Sequence, residues 1–422
     1  MTQQAQGALG EWQRHWLLAL SATVGFTFSP MATYSLGLFM EPLHKEFGWG
    51  RAATSSGLIV LSLFAILFTA PVGALIDRFG ARRNAIPGTV LCMVAVGALS
   101  FANGSLVQWL ALWIFYAVAS LFIKTTVWCA AISKAFSVSR GLALGVVLCG
   151  SGLSQSLTPI IAQRLIDGFG WRHAYQLLAL GWGGLVLVLL LLFFHDVGTT
   201  SAPSRQASKH GDTAPPAALP GYSFREAIGT PAIQQIFAAV LLGSVIAVGI
   251  AVHLVPIIVD TGHSRGAAAG IAGLAGLSAI AGKLTTGALL DRFRGSLLPF
   301  ASFALPSTGM AMLLLPHPGI WLTGFAVMIL GFSAGSVTQS QAYLIARYAG
   351  LRSYGAVLGV ASSIIGLTLG FGPWFAGKVF DVTGSYHLVL LLGIPCTLAA
   401  GALVIGLGAY PVFEREPASQ AS

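Results

Sequence analysis

The sequence predicts an all-helical membrane protein of twelve spans in two six-helix halves. Three observations lead there: an apolar excess too large for a water-soluble core, uncharged stretches of bilayer length, and an internal repeat relating the two halves.

Charged residues make up 8% of the 422-residue chain against 55% apolar, and the mean hydropathy is +0.81. A soluble domain carries roughly 25% charge, so the surplus has to face lipid. Runs of about 20 apolar residues each suffice to cross a ~30 Å hydrocarbon core as a helix. Helix is also the backbone state that satisfies its own hydrogen bonds there. The runs fall near 16–40, 53–75, 84–103, 108–133, 141–165 and 173–194, then near 231–259, 267–290, 296–315, 319–346, 353–378 and 385–408. Between the sets lies a polar segment rich in Ser, Ala, Pro and Gly. The expected organisation is therefore a first half at 1–194, a linker at 195–230 with a short interfacial helix near Phe224–Ile228, a second half at 231–408 and a tail at 409–422.

A constant shift of 214 residues carries Asp77-Arg78 onto Asp291-Arg292, and with them Pro42 onto Pro256, Gly48 onto Gly262, Arg51 onto Arg265, Gly145 onto Gly359, Pro159 onto Pro373, Asp167 onto Asp381 and Gly170 onto Gly384. Six spans per unit keep the copies in the same orientation, as in a parallel repeat about the membrane normal.

Lys and Arg number 22 against 13 Asp and Glu. The basic residues sit in short loops rather than in one patch with interleaved aromatics, which excludes a nucleic-acid surface and supplies a topology signal. Arg14, Arg78, Arg82, Arg83, Lys134, Arg140, Arg292, Arg294, Arg347 and Arg352 share the linker's side; Lys45, Arg51, Arg164, Arg172, Arg265 and Lys378 lie on the other. Both termini and the linker are expected in the cytoplasm. The N-terminal segment lacks a basic start and a cleavage site, so the first run reads as a retained span. Cys92, Cys129, Cys149 and Cys396 have no paired spacing and read as small packing residues.

Gly73-Ala74-Leu75-Ile76-Asp77-Arg78-Phe79-Gly80-Ala81-Arg82-Arg83 resembles the loop signature between spans 2 and 3 of major facilitator transporters, with a degenerate copy at Gly287-Ala288-Leu289-Leu290-Asp291-Arg292-Phe293. Tyr34–Leu43, Phe47-Gly48-Trp49, Arg140–Gly145, Gly168–Arg172 and His253-Leu254-Val255-Pro256 resemble the monocarboxylate transporter and oxalate:formate antiporter branch. The resemblance implies a secondary transporter of a small organic carboxylate, coupled to protons or to a counter-anion, monomeric, in a bacterial inner membrane. Asp77, Arg78, Arg83, Asp291 and Arg292 are the expected cytoplasmic gate.

An ionisable residue inside a span is a functional candidate by default. Every acidic residue lies at a span end, in a loop or in a tail, which leaves Lys124 in span 4 and Lys283 in span 8 as the deep charges. Helical rise puts both roughly 12–15 Å from the linker-side boundary, near mid-bilayer. A bound carboxylate would supply the missing partner, and two lysines hint at a dianion; a lysine that snorkels to the boundary is the bland alternative. The branch resemblance favours Lys283, because relatives carry a basic residue there, usually arginine. This chain departs from them in having Ala279 where animal members have an aspartate, and Met31 in place of their span 1 lysine.

His253 is a candidate proton carrier or a packing histidine. Tyr34, Trp128, Gln155, Gln339, Gln341, Tyr343 and Trp374 are candidate cavity lining. Gly141 with Gly145, and Gly266 with Gly270 and Gly273, sit in apolar helices without a Gly-Lys-Ser/Thr motif, so close helix packing is expected rather than a nucleotide loop. No catalytic or metal-ligand spacing is readable, so neither enzyme activity nor a cofactor is expected. Two other functions compete: efflux of amphiphilic drugs, which leaves the lysines without a role, and a non-transporting membrane receptor.

Overall fold

The computed structural model describes residues 3–195, 221–293, 295–350, 352–408 and 410–411. Among them regular structure is helical, apart from one backbone pairing of Gly221 with Gly350. Ten helical stretches are long and apolar enough to cross a membrane. One, Arg140–Phe193, holds two spans because Gly170 at φ 77° interrupts it, and Leu297–Leu313 adds a shorter apolar helix. Twelve spans result.

Span 1 is Gln3–Phe28 continued by Met31–Phe47, broken at Pro30. Span 2 is Arg51–Phe79, span 3 Ala81–Ala98, and span 4 Leu106–Leu121 continued by Thr125–Ala135. Spans 5 and 6 occupy 140–169 and 171–193. Span 7 is Pro231–Asp260, span 8 Arg265–Arg292, span 9 Leu297–Ala304 with Pro306–Leu313, span 10 Ile320–Ala349, span 11 Tyr354–Thr383 and span 12 His387–Ile405. Span 1 starts well before the expected residue 16, because the polar residues ahead of it continue the same helix. Ahead of span 7 the expected short helix forms at Phe224–Gly229, closed by a capping box between Ser223 and Glu226. The Ser223 amide N–H donated to the Glu226 carboxylate holds that acid below its ordinary pKa.

The repeat is visible in backbone geometry at the end away from the linker, called here the far end. Gly48 (φ 70°) and Gly384 (φ 73°) end spans 1 and 11 by donating to the carbonyls of His44 (2.8 Å) and Phe380 (2.7 Å). Their repeat mates Gly262 (φ 102°) and Gly170 (φ 77°) also have positive φ. A side chain is costly in that left-handed region, so both repeat pairs stay glycine.

The halves meet where span 1 packs on span 7, span 2 on span 11, and span 5 on span 8. Toward the far end these seams are tight. A Cβ added to Gly37 would strike the Val252 carbonyl, one on Gly276 the Gly152 carbonyl, and one on Gly377 the backbone of Arg51 and Ala52. At the linker end Gly73, Gly141, Gly145, Gly287, Gly355 and Gly359 have open space instead. The expectation of close packing thus holds for Gly273, which abuts Ser156, and fails in this state for Gly141, Gly145, Gly266 and Gly270. Gly141 and Gly145 lie in the first turns of span 5, where an added Cβ would meet nothing within 4 Å. Large apolar side chains such as Leu67, Val94, Leu180, Leu192 and Leu398 remain exposed over the helical surface, as lipid-facing positions do.

Candidate functional site

The far-end seal is built from first and last helical turns. Span 2 begins after Gly50 with no capping side chain of its own. Asp381, from the last turn of span 11, does that work: its carboxylate accepts the amides of Arg51 (2.7 Å) and Ala52 (3.0 Å). A carboxylate at a helix N-terminus meets orphan N–H groups and the positive end of the dipole. The Arg51 guanidinium lies 3.4 Å from the Phe380 ring centroid and donates to the Tyr386 hydroxyl. Arg265 of span 8 pairs with Glu41 of span 1 across the same boundary.

Beneath the seal His253 is fully buried. Its Nε2 is 2.9 Å from the Pro373 carbonyl and 3.4 Å from Ser55 Oγ, and its Nδ1 is 2.6 Å from Tyr386 Oη. A carbonyl only accepts, so Nε2 carries the hydrogen and Nδ1 accepts from Tyr386. The sequence pointed to His253 but not to Ser55, Arg51, Asp381 or Tyr386 around it. A signal existed, since Arg51 and Asp381 both belong to repeat-related pairs.

At mid-depth Lys283 Nζ reaches across the seam between the halves to Ser151 Oγ, 3.4 Å away. The ion pairs among the described residues are Glu41–Lys45, Glu46–Arg172 and Glu41–Arg265, so no acid partners Lys283. One turn along span 5 from Ser151, Gln155 lines a cavity of about 170 Å³ with Ala247, Leu254, Phe303, Leu330 and Thr338. The hydroxyls on its wall are committed to backbone carbonyls: Ser244 to Val240, Ser333 to Ser302, Thr338 to Ala334 and Thr397 to Gly393. Gln155 also lines a smaller cleft with Tyr34, Gly37 and Pro159. Ser151, Gln155 and Pro159 recur at helical spacing, so one face of span 5 brings Lys283, Gln155 and Tyr34 into a row.

The remaining candidates lie elsewhere. Lys124 stands at the break in span 4, half-buried; its carbonyl accepts from the Val127 amide (3.0 Å), and its side chain makes no hydrogen bond or ion pair among the described residues. Trp128 is fully buried, donates to the Ile123 carbonyl (2.8 Å), and lies against Gly25 and Phe194 within the first half. Gln339 is half-buried. Tyr343 sits toward the linker end of span 10, with the Arg347 guanidinium 5.3 Å from its ring centroid and Tyr410 beside it. Of the expected gate, Arg78 lies over Phe79, Arg83 and Arg292 are exposed, and the side chains of Asp77 and Asp291 lie outside the described residues.

Residues 22–373 match the family model of the Major Facilitator Superfamily. The chain belongs to that superfamily. Monocarboxylate transporter 11 of Homo sapiens is 28% identical over 421 residues, covering 93% of this chain and 82% of that protein. Monocarboxylate transporter 13 of Bos taurus is 24% identical, covering 98% and 93%. Among solved structures, a bacterial homologue of the human lysosomal transporter Spinster, in an inward-facing conformation, superposes with a TM-score of 0.64 at 16% identity, over 93% of each chain. The protein is therefore a multi-pass membrane transporter of the major facilitator fold, and not an enzyme.

Proposed function

We propose that this transporter carries a small organic monocarboxylate by alternating access, with Lys283 receiving the carboxylate. The observation that carries the reading is the position of the Lys283 ammonium, at mid-depth on the seam between the halves and without an acidic partner. An unpaired charge is costly there, and a bound anion offsets that cost. The named relatives support the same class of cargo. The apolar wall beside Gln155 suits a hydrocarbon body. The row of Lys283, Gln155 and Tyr34 holds one cation, so one carboxylate is favoured over two.

The linker end is the cytoplasmic one by the positive-inside rule, which makes this the inward-facing state of a cell-membrane carrier with cytoplasmic termini. Asp77, Arg78, Arg83, Asp291 and Arg292 then form the gate that closes when the far end opens. Uptake of radiolabelled monocarboxylates into proteoliposomes tests the reading. Saturable uptake competed by other monocarboxylates is expected; transport of cationic amphiphiles with no carboxylate effect would replace it with the efflux function.

A further inference from the structure

We propose that His253 is the proton-binding group of this carrier, and that a proton on its Nδ1 releases the far-end seal. The inference rests on the carrier reading and extends it by assigning the coupling ion. The closed seal needs a particular order of hydrogens. Arg51 donates to Tyr386 Oη, Tyr386 donates to His253 Nδ1 (2.6 Å), and His253 Nε2–H donates to the Pro373 carbonyl (2.9 Å). The relay crosses the boundary between the halves, since Arg51 belongs to span 2 while His253, Pro373 and Tyr386 belong to the second half. It closes only with a neutral imidazole, whose Nδ1 lone pair is the acceptor.

A proton arriving from the far-end water would occupy that lone pair. Nδ1 then becomes a donor, the Tyr386 O–H loses its acceptor, and the buried ring gains a positive charge beside Arg51. The titratable and charged groups facing the relay from the surrounding elements are Arg51 of span 2, Tyr386 at the start of span 12, Asp381 of span 11, Asp260 at the end of span 7, and the Glu41–Arg265 pair of spans 1 and 8. None is placed to neutralise the new charge without leaving its present partner. Asp381 holds the Arg51 and Ala52 amides, Asp260 holds the Tyr386 amide (3.1 Å), and Glu41 is paired with Arg265. Proton binding therefore favours the state in which the far end is open and His253 reaches water. The seal is therefore intact at high pH and weakens as pH falls through the range where a histidine in water titrates, around 6.5.

The test uses the full chain in nanodiscs without substrate, with spin labels at Phe169→Cys and Val382→Cys, exposed far-end positions on opposite halves, in a background lacking the native cysteines. Between pH 8 and pH 5 the population with a long label distance is expected to rise on the order of tenfold, the shift given by one unit of difference in proton affinity between the states. His253→Gln is expected to abolish the pH response. Tyr386→Phe, which keeps the ring, is expected to open the far end at every pH. A pH response that persists in His253→Gln, or none in the parent protein, would overturn the assignment. Monocarboxylate uptake measured separately on the same variants shows whether the carrier reading survives.

Discussion

Asp381 and Arg51 belong to opposite halves of the molecule, yet the carboxylate of the one caps the first turn of the helix that begins with the other. A helix of one half is thereby completed by a residue of its partner. In the proposed cycle this cap is surrendered when the far end opens.

Loss of this cap should bias the transporter toward the far-end-open state. Asp381→Ala removes the acceptor for two amides, which is worth about 1 to 2 kcal/mol on the scale of helix N-caps. The expected outcome is a roughly 5- to 30-fold rise in the open population, read as labelling of a cysteine at Ser55 from the far-end side. Unchanged labelling would remove the cap from the gate.

The glycines make a paired expectation. Gly377 is pressed against the backbone of Arg51 and Ala52, whereas Gly145 and its repeat mate Gly359 face open space. Gly377→Leu should prop the far end open, and Gly359→Leu should hinder closure of the linker end while leaving this state undisturbed. Crosslinking at each end, in membranes with matched expression, checks both. Identical effects of the two substitutions would contradict the two-ended gate.

Orientation is open to labelling. Single cysteines at Arg225 and Arg14 should react only from the cytoplasm, and one at Lys45 only from outside, because basic residues concentrate in the loops on the linker's side. Reaction of Arg225→Cys from outside intact cells would reverse the assignment of the states.

Much of this architecture was legible in the sequence because lipid imposes a simple grammar. Span length, loop charge and a gapless repeat located the twelve helices, and the cost of burying charge singled out Lys124 and Lys283, of which only Lys283 stands at the seam between the halves. The far-end seal was harder to see. Asp381, Arg51 and Tyr386 sit at helix ends, where a charge is cheap and carries no signal by itself; only their partners across 330 to 335 residues of chain give them a role. Trp128 was singled out as cavity lining on residue type, but its packing against Gly25 depends on helix rotation, which apolar stretches without a polar face do not encode.

The central claim is that Lys283 receives the carboxylate, and substrate affinity in Lys283→Gln tests it most directly. Glutamine keeps a hydrogen-bond donor, on a side chain one atom shorter, but loses the charge. Isothermal titration of purified protein with a transported monocarboxylate should show binding weakened by about 2 to 4 kcal/mol, roughly 30- to 1,000-fold, the scale for removing one partner of a desolvated charge pair. Lys283→Arg should retain measurable binding, since it preserves the charge. Parental affinity in a folded Lys283→Gln protein would contradict the claim and leave Lys283 a structural residue.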